Sequence, residues 1–269
     1  MHFYCIFTNM TINFYKYEGT GNDFVIIDDR NKIFDANDNS LINLICNRNI
    51  GIGADGLILL RNHQNADFEM IYFNSDGYQS TMCGNGGRCI VAFANLLKII
   101  ETETTFKACD GMHRGKIIDR NNVLIKMNNV NKIDKVDDGF FLDTGSPHFV
   151  KFVNNLDDID VKRNGKKYSR NKNLSVNSTN VNFVQVSKEL NIRTFERGVE
   201  RETLSCGTGV VASALCAHLN NMIKSEFINI NTRGGTLKVY FNKDVKQYNE
   251  IWLEGEVNMV FSGKFYVNK

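Results

Sequence analysis

The alternation of apolar and polar positions divides the chain into many short strands and few helices. Asn13 to Asp29 reads as a strand, the turn Gly19-Thr20-Gly21 and a second strand. Ser40 to Asn47 has the spacing of a short helix, with Ser40 as its candidate cap. Leu57-Ile58-Leu59-Leu60 and Phe68 to Phe73 read as strands, and the second ends in the turn signal Asn74-Ser75-Asp76-Gly77. Ile90, Phe93, Ala94 and Leu97 then recur at helical spacing, with Lys98 near the end of that helix. From Phe106 to Met127 the period returns to two, and Asp119 to Asn122 turn a hairpin. Gly139 to Asp143, Asn180 to Val186 and Asn191 to Gly198 continue as strands. Val210 to Leu219 is apolar on all sides, as a buried helix is, and the closing segment reads as hairpins, one turned at Arg233-Gly234-Gly235 and the next holding Trp252. Hairpins between neighbouring strands predict antiparallel sheet, not the alternating strand and helix order of a doubly wound fold. The polar stretch Asn128 to Asp138 is the best candidate boundary between two domains, and Asn154 to Asn177 reads as a polar surface excursion.

Two stretches within this pattern look alike: Met82-Cys83-Gly84-Asn85-Gly86-Gly87 and Ser205-Cys206-Gly207-Thr208-Gly209-Val210. Each sets a cysteine ahead of a glycine-polar-glycine turn that opens into an apolar helix, and they stand about 120 residues apart, so two equivalent half-sites are expected. A helix start exposes unpaired N–H groups and partial positive charge, which favours a bound carboxylate and depresses a nearby thiol. Glycines beside Asn85 and Thr208 let the backbone approach an anion closely. Two opposed cysteines, one thiolate and one thiol, suit inversion of a stereocentre, which needs a base on one face of a carbon and an acid on the other. Three plainer readings stand beside this: buried apolar filler, a zinc site including Cys89, and a disulfide. Filler does not explain the repeated turn. Cys83 and Cys89 lack a usual ligand spacing, so no metal is expected, and a Cys83–Cys206 disulfide would be an inactivated form of the site.

Other candidates are less distinctive. Asn22 follows the first glycine turn, where its amide can serve a ligand or merely the turn. Gly51-Ile52-Gly53-Ala54-Asp55-Gly56 matches the dinucleotide fingerprint in letters, yet a helix precedes it and a strand follows, the reverse of what nucleotide binding needs. His148 follows Pro147, the only proline, whose turn is expected to be rigid. Glu196 and Arg197 close a strand that leads to Cys206 and could hold an amino group and a carboxylate, or form a surface ion pair.

Composition narrows the class without choosing the chemistry. The 269 residues allow one large domain or two of ordinary size, and 42% hydrophobic residues are ample for two cores. A net charge of +2 with interspersed signs predicts no nucleic-acid or membrane surface, and no apolar run is long enough to span a bilayer. The first fifteen residues do not read as a secretory signal, and Met10 offers a second candidate start. Seven cysteines, an odd and scattered set, fit a reducing cytoplasm, with no chemical role for Cys5, Cys46, Cys109 or Cys216.

Taken together, the motifs resemble diaminopimelate epimerases along nearly the whole chain. The resemblance rests on Gly19-Thr20-Gly21-Asn22-Asp23-Phe24, Gly51-Ile52-Gly53-Ala54-Asp55-Gly56, Cys83-Gly84-Asn85-Gly86-Gly87-Arg88-Cys89, Gly145-Ser146-Pro147-His148, Asn180-Val181-Asn182-Phe183, Glu196-Arg197-Gly198 and Cys206-Gly207-Thr208-Gly209. It implies an α+β fold of two pseudo-symmetric domains, each an antiparallel sheet curled round a central helix, with the site between them. The halves would be residues 1–128, completed by a last strand at 262–269, and residues 129–261. It also implies cofactor-independent interconversion of LL- and meso-diaminopimelate, a step towards lysine and peptidoglycan precursors, in a cytoplasmic homodimer. Cys83 and Cys206 match the acid/base pair. Backbone at Gly84, Asn85, Gly207 and Thr208 would hold the reacting carboxylate. Asn22, Asn74, Asn180, Glu196 and Arg197 match substrate-contacting positions, the last two at the end that does not react, and His148 matches a histidine near the cysteines.

The chain departs from many members at Ser146, where they carry asparagine, at Gly56, where some carry glutamine, and by one extra residue between Arg197 and Cys206. Proline racemases and hydroxyproline epimerases are the nearest alternative, but they usually carry histidine at the position of Asn85. A non-catalytic dicarboxylate-binding protein is the alternative from another class, and it would need neither thiol.

Overall fold

The computed structural model describes residues 10–171 and 178–267, so Cys5, the choice between Met1 and Met10, the end of the excursion to Asn177 and the final two residues lie outside the described residues. Two rounds of the same topology follow one another. In the first, β1 (Met10–Gly19) turns into antiparallel β2 (Asn22–Asp28), and α1 (Asn39–Cys46) crosses over to β3 (Gly56–Arg61), which lies parallel to β2. Antiparallel β4 (Phe68–Asn74) follows, and α2 (Gly84–Leu96) crosses to β5 (Glu103–Ala108), parallel to β4. Hairpins then add β6 (Gly111–Ile117) and β7 (Asn122–Lys126).

The second round begins with β8 (Ile133–Val136), β9 (Gly139–Asp143) and β10 (Pro147–Phe152). α3 (Val161–Ser169) crosses to β11 (Asn180–Val186), parallel to β10, and β12 (Leu190–Glu196) returns antiparallel. β13 (Arg201–Thr203) and α4 (Gly207–Leu219) lead to β14 (Phe227–Thr232), parallel to β12, and then to hairpins of β15 (Gly235–Lys243) and β16 (Tyr248–Glu256). β7 and β16 pair and join the rounds. β17 (Asn258–Val267) pairs with β1 as β8 pairs with β9. The last strand of the sequence therefore sits in the sheet of the first round.

Three expectations change. The sheet is not wholly antiparallel, because each of the four helices is a crossover that returns the chain parallel to the strand before it or its neighbour. The polar excursion contains α3, whose burial is limited to Val161, Gly165 and Ser169, too sparse a stripe to announce a helix. Asp38, not Ser40, caps α1, its carboxylate accepting from Leu41 N–H at 2.9 Å.

The strands next to the site are buried on both faces, which explains their unbroken apolar runs. Phe24, Ile26, Ile58 and Leu60 face α2, while Val25, Ile27, Leu57 and Leu59 pack beneath α1. In the second round Phe149, Val181, Phe183 and Phe195 pack with Val161 of α3. The central cluster runs without a break from Ile90 and Phe93 of α2 to Val210, Ala214 and Leu215 of α4. No helix among the described residues is long and apolar enough to cross a membrane.

Candidate active site

Cys83 and Cys206 occupy the same place in the two rounds, the N-cap of a crossover helix, both with extended backbone. Neither side chain makes a capping hydrogen bond to its helix. The two helix starts abut. A Cβ on Gly207 would lie 3.6 Å from Asn85 Oδ1 and 3.9 Å from Gly84 Cα. Asn85 donates to Ser205 O at 3.4 Å, and Thr20 Oγ1 and Ser205 Oγ lie 3.0 Å apart. Both cysteines are free thiols.

Each sulfur has its own polar partner. Cys83 donates to Asn22 Oδ1 at 3.6 Å, and the same oxygen accepts from Asn85 Nδ2 at 3.3 Å. The Asn22 amide is oriented by Asp55, whose carboxylate accepts from Nδ2 at 2.7 Å. Asp55 is in turn held by Arg48 at 2.9 Å, which also grips Asp23 at 2.6 Å, where buried Lys16 pairs too. That ion-pair network gives the Gly51 to Gly56 motif its purpose: it places a carboxylate behind Asn22.

On the other side, Cys206 Sγ lies 3.5 Å from Thr208 Oγ1, which is 2.8 Å from His148 Nε2. Asn182 Nδ2 reaches His148 Nδ1 at 3.0 Å while its oxygen accepts from Thr194 at 2.9 Å. The directions are thereby fixed: Nδ1 accepts, Nε2 donates to Thr208, and the Thr208 hydroxyl is left to donate to the Cys206 sulfur. Burial, and then the nearby Arg197 charge, lower the His148 pKa to about 3, so the ring is neutral.

The thiols behave differently from the expectation of a depressed pKa. Burial pushes Cys83 up, and Glu196 adds to the rise, against the N–H groups of Gly86 and Asn85 and the charge of Arg88. For Cys206, burial and then Glu196 raise it, against Thr208 and the Gly209 N–H, and Cys83 raises it further. Desolvation outweighs the helix starts in the unliganded site. The mutual repulsion means that a second thiolate forms with more difficulty than the first.

The remaining candidates flank this centre. Glu196 ends β12, accepts from Thr203 Oγ1 at 2.5 Å and is raised by burial and by Asp55. Arg197 donates from its backbone to Asn180 Oδ1 at 3.0 Å and from its guanidinium to Ser178 O at 3.2 Å. Asn180 Nδ2 donates to Ser146 Oγ at 3.0 Å, so its amide is engaged in holding the Ser146 turn to Arg197. Asn74 is exposed at the end of β4, opposite Gly56 in the ladder, and has no hydrogen bond to either cysteine or their partners. Gly56 is explained by Tyr72: a Cβ there would come within 3.0 Å of the Tyr72 hydroxyl and closer still to its ring. Asp55, Tyr72, Arg88, Asn182 and Ser205 were not among the expected site residues. Asp55, Arg88, Asn182 and Ser205 stand inside the glycine, cysteine and asparagine motifs of the sequence, which are the available signal.

The family model described as diaminopimelate epimerase matches residues 14–133 and 140–260. A diaminopimelate epimerase of Flavobacterium psychrophilum is 49% identical over 92% of this chain and 97% of its own length, and one of Chlorobaculum tepidum is 42% identical over 91% and 98%. Among solved structures, a phenazine biosynthesis protein of the PhzF family from Bacillus anthracis superposes with a TM-score of 0.74 at 16% identity, covering 96% of this chain and 99% of its own. A hydroxyproline epimerase from Agrobacterium vitis gives 0.68 at 11% identity over 98% and 95%, and both likenesses speak for the fold alone. Matched over both rounds of its topology, and closely related to proteins of that name across its length, the chain belongs to the diaminopimelate epimerase family.

Proposed function

We propose that this chain interconverts LL- and meso-diaminopimelate without a cofactor, using Cys83 and Cys206 as an alternating thiolate and thiol. The observation that carries the proposal is the meeting of two equivalent, cysteine-capped helix starts. One thiolate takes the proton from the α-carbon, the carbanion's charge spreads into the carboxylate, and the other thiol returns a proton on the opposite face. Unpaired N–H groups of both first turns supply donors for that carboxylate, at Gly84, Asn85, Gly207 and Thr208. Asn22, Asn74, His148, Asn180, Glu196 and Arg197 surround or support the rest of the substrate, with Glu196 and Arg197 offering opposite charges to a distal amino-acid group. Cytoplasmic location, a homodimeric assembly and a place in lysine and peptidoglycan precursor synthesis come with the family and belong to the proposal.

Incubation with LL-diaminopimelate in deuterated water tests substrate and reaction together. One α-carbon should exchange, with formation of the meso isomer. Cys83→Ala and Cys206→Ala should each lower the epimerisation rate by at least about a hundredfold while leaving the fold intact, since each face of the carbon loses its proton carrier. Full epimerisation in either variant would defeat the two-thiol mechanism.

A further inference from the structure

Arg88 lies five residues after Cys83, at the start of the second turn of α2, and is 0% exposed. A single nitrogen of its guanidinium, Nη2, donates to Thr20 Oγ1 at 3.1 Å and to Asn85 Oδ1 at 3.0 Å. Both acceptors lead to one residue. Thr20 Oγ1 contacts Ser205 Oγ, and Asn85 Nδ2 donates to Ser205 O. The four residues close a ring: Asn85 stands two positions after Cys83, and Ser205 immediately precedes Cys206.

The rest of the guanidinium is unusual for a structural arginine. Nε and Nη1 are buried with no hydrogen-bond partner among the described residues, and no carboxylate there forms an ion pair with it. Gly255 leaves the space it occupies: a Cβ there would stand 3.0 Å from Nε. A buried, unpaired charge is costly, and a compensating role is the natural explanation. The charges it meets are the thiols of Cys89 and Cys83 and the carboxylate of Glu18, while Cys83 itself faces Arg88 from α2 and Glu196 from β12.

We propose that Arg88 is a positioning residue that clamps the two cysteine-bearing turns at their working separation through Thr20, Asn85 and Ser205. The proposal rests on the two-thiol reading of the site. It predicts that geometry and charge are separable by substitution.

Arg88→Met removes both, and Arg88→Lys keeps the charge but loses the planar nitrogen that serves two acceptors. In the full chain, kcat and KM are measured with LL-diaminopimelate, and Cys83 alkylation by iodoacetamide is followed against pH without substrate. In Arg88→Met, kcat should fall about a hundredfold with a smaller change in KM, as expected for misplaced reacting groups, and alkylation should move to higher pH. Arg88→Lys should keep the alkylation profile of the unaltered protein while kcat stays about tenfold low, the clamp alone being lost. Unaltered kcat in Arg88→Lys overturns the clamp, including where Arg88→Met fails to fold. A loss carried by KM with kcat kept in folded Arg88→Met makes Arg88 a packing residue and also overturns the proposal. Absence of epimerisation in the unaltered protein would defeat the two-thiol reading instead, and the alkylation shift would still report on the charge.

Discussion

His148 shows how much a single residue's role depends on partners far away in sequence. Its ring is neutral because it is buried, and it is oriented because Asn182 and Thr194 leave only one direction for each hydrogen bond. The folded pKa of about 3 lies below the ordinary 6.5, so between those values the unfolded chain binds a proton that the folded one refuses. His148 therefore makes stability fall as pH drops through this window, by up to about 1.4 kcal/mol per pH unit. Denaturant unfolding at several pH values should show that slope, and His148→Gln should flatten it. An unchanged slope in the variant would place the titration elsewhere. Cysteine-glycine turns were readable because their chemistry is local. The orientation of His148 was not, since Asn182 and Thr194 come to it only through the pairing of β10, β11 and β12.

At the level of elements, α4 can reach the site only because its first turn is small. A Cβ on Gly209 would overlap Asn182 Oδ1 and stand 3.3 Å from His148 Cε1. Gly209→Ala should therefore push the helix start away from the amide that holds His148, destabilising the protein by about 1–3 kcal/mol and slowing epimerisation. Thermal unfolding and kcat measure the two effects together, and an alanine variant matching the unaltered protein in both would show that the turn has slack. α2 and the 116–125 hairpin were legible from their apolar periods, and α4 from its unbroken apolar run. α3 was not, because it buries so little apolar surface, and neither were the parallel pairings, because a crossover leaves no mark in the period of the strands it joins.

For the whole molecule, the decisive fact is that one apolar cluster includes both central helices. The two rounds share a core as well as the β7–β16 ladder, so neither can lose its packing while the other keeps all of its own. Calorimetry should accordingly give one cooperative transition with matching calorimetric and van't Hoff enthalpies. Two resolved transitions would show that the rounds melt independently. The duplicated glycine turns announced the two halves, whereas the strand partners that complete each half could be found only in three dimensions.

The pairing of β1 with β17 has a consequence for how the chain comes into being. Residues 258–267 follow every other strand of the described residues, so the sheet around Cys83 lacks an edge until β17 has been made. The later half, whose strands β8 to β16 are contiguous, has every internal partner available sooner. The thiol that comes first along the chain thus waits longer for its finished surroundings.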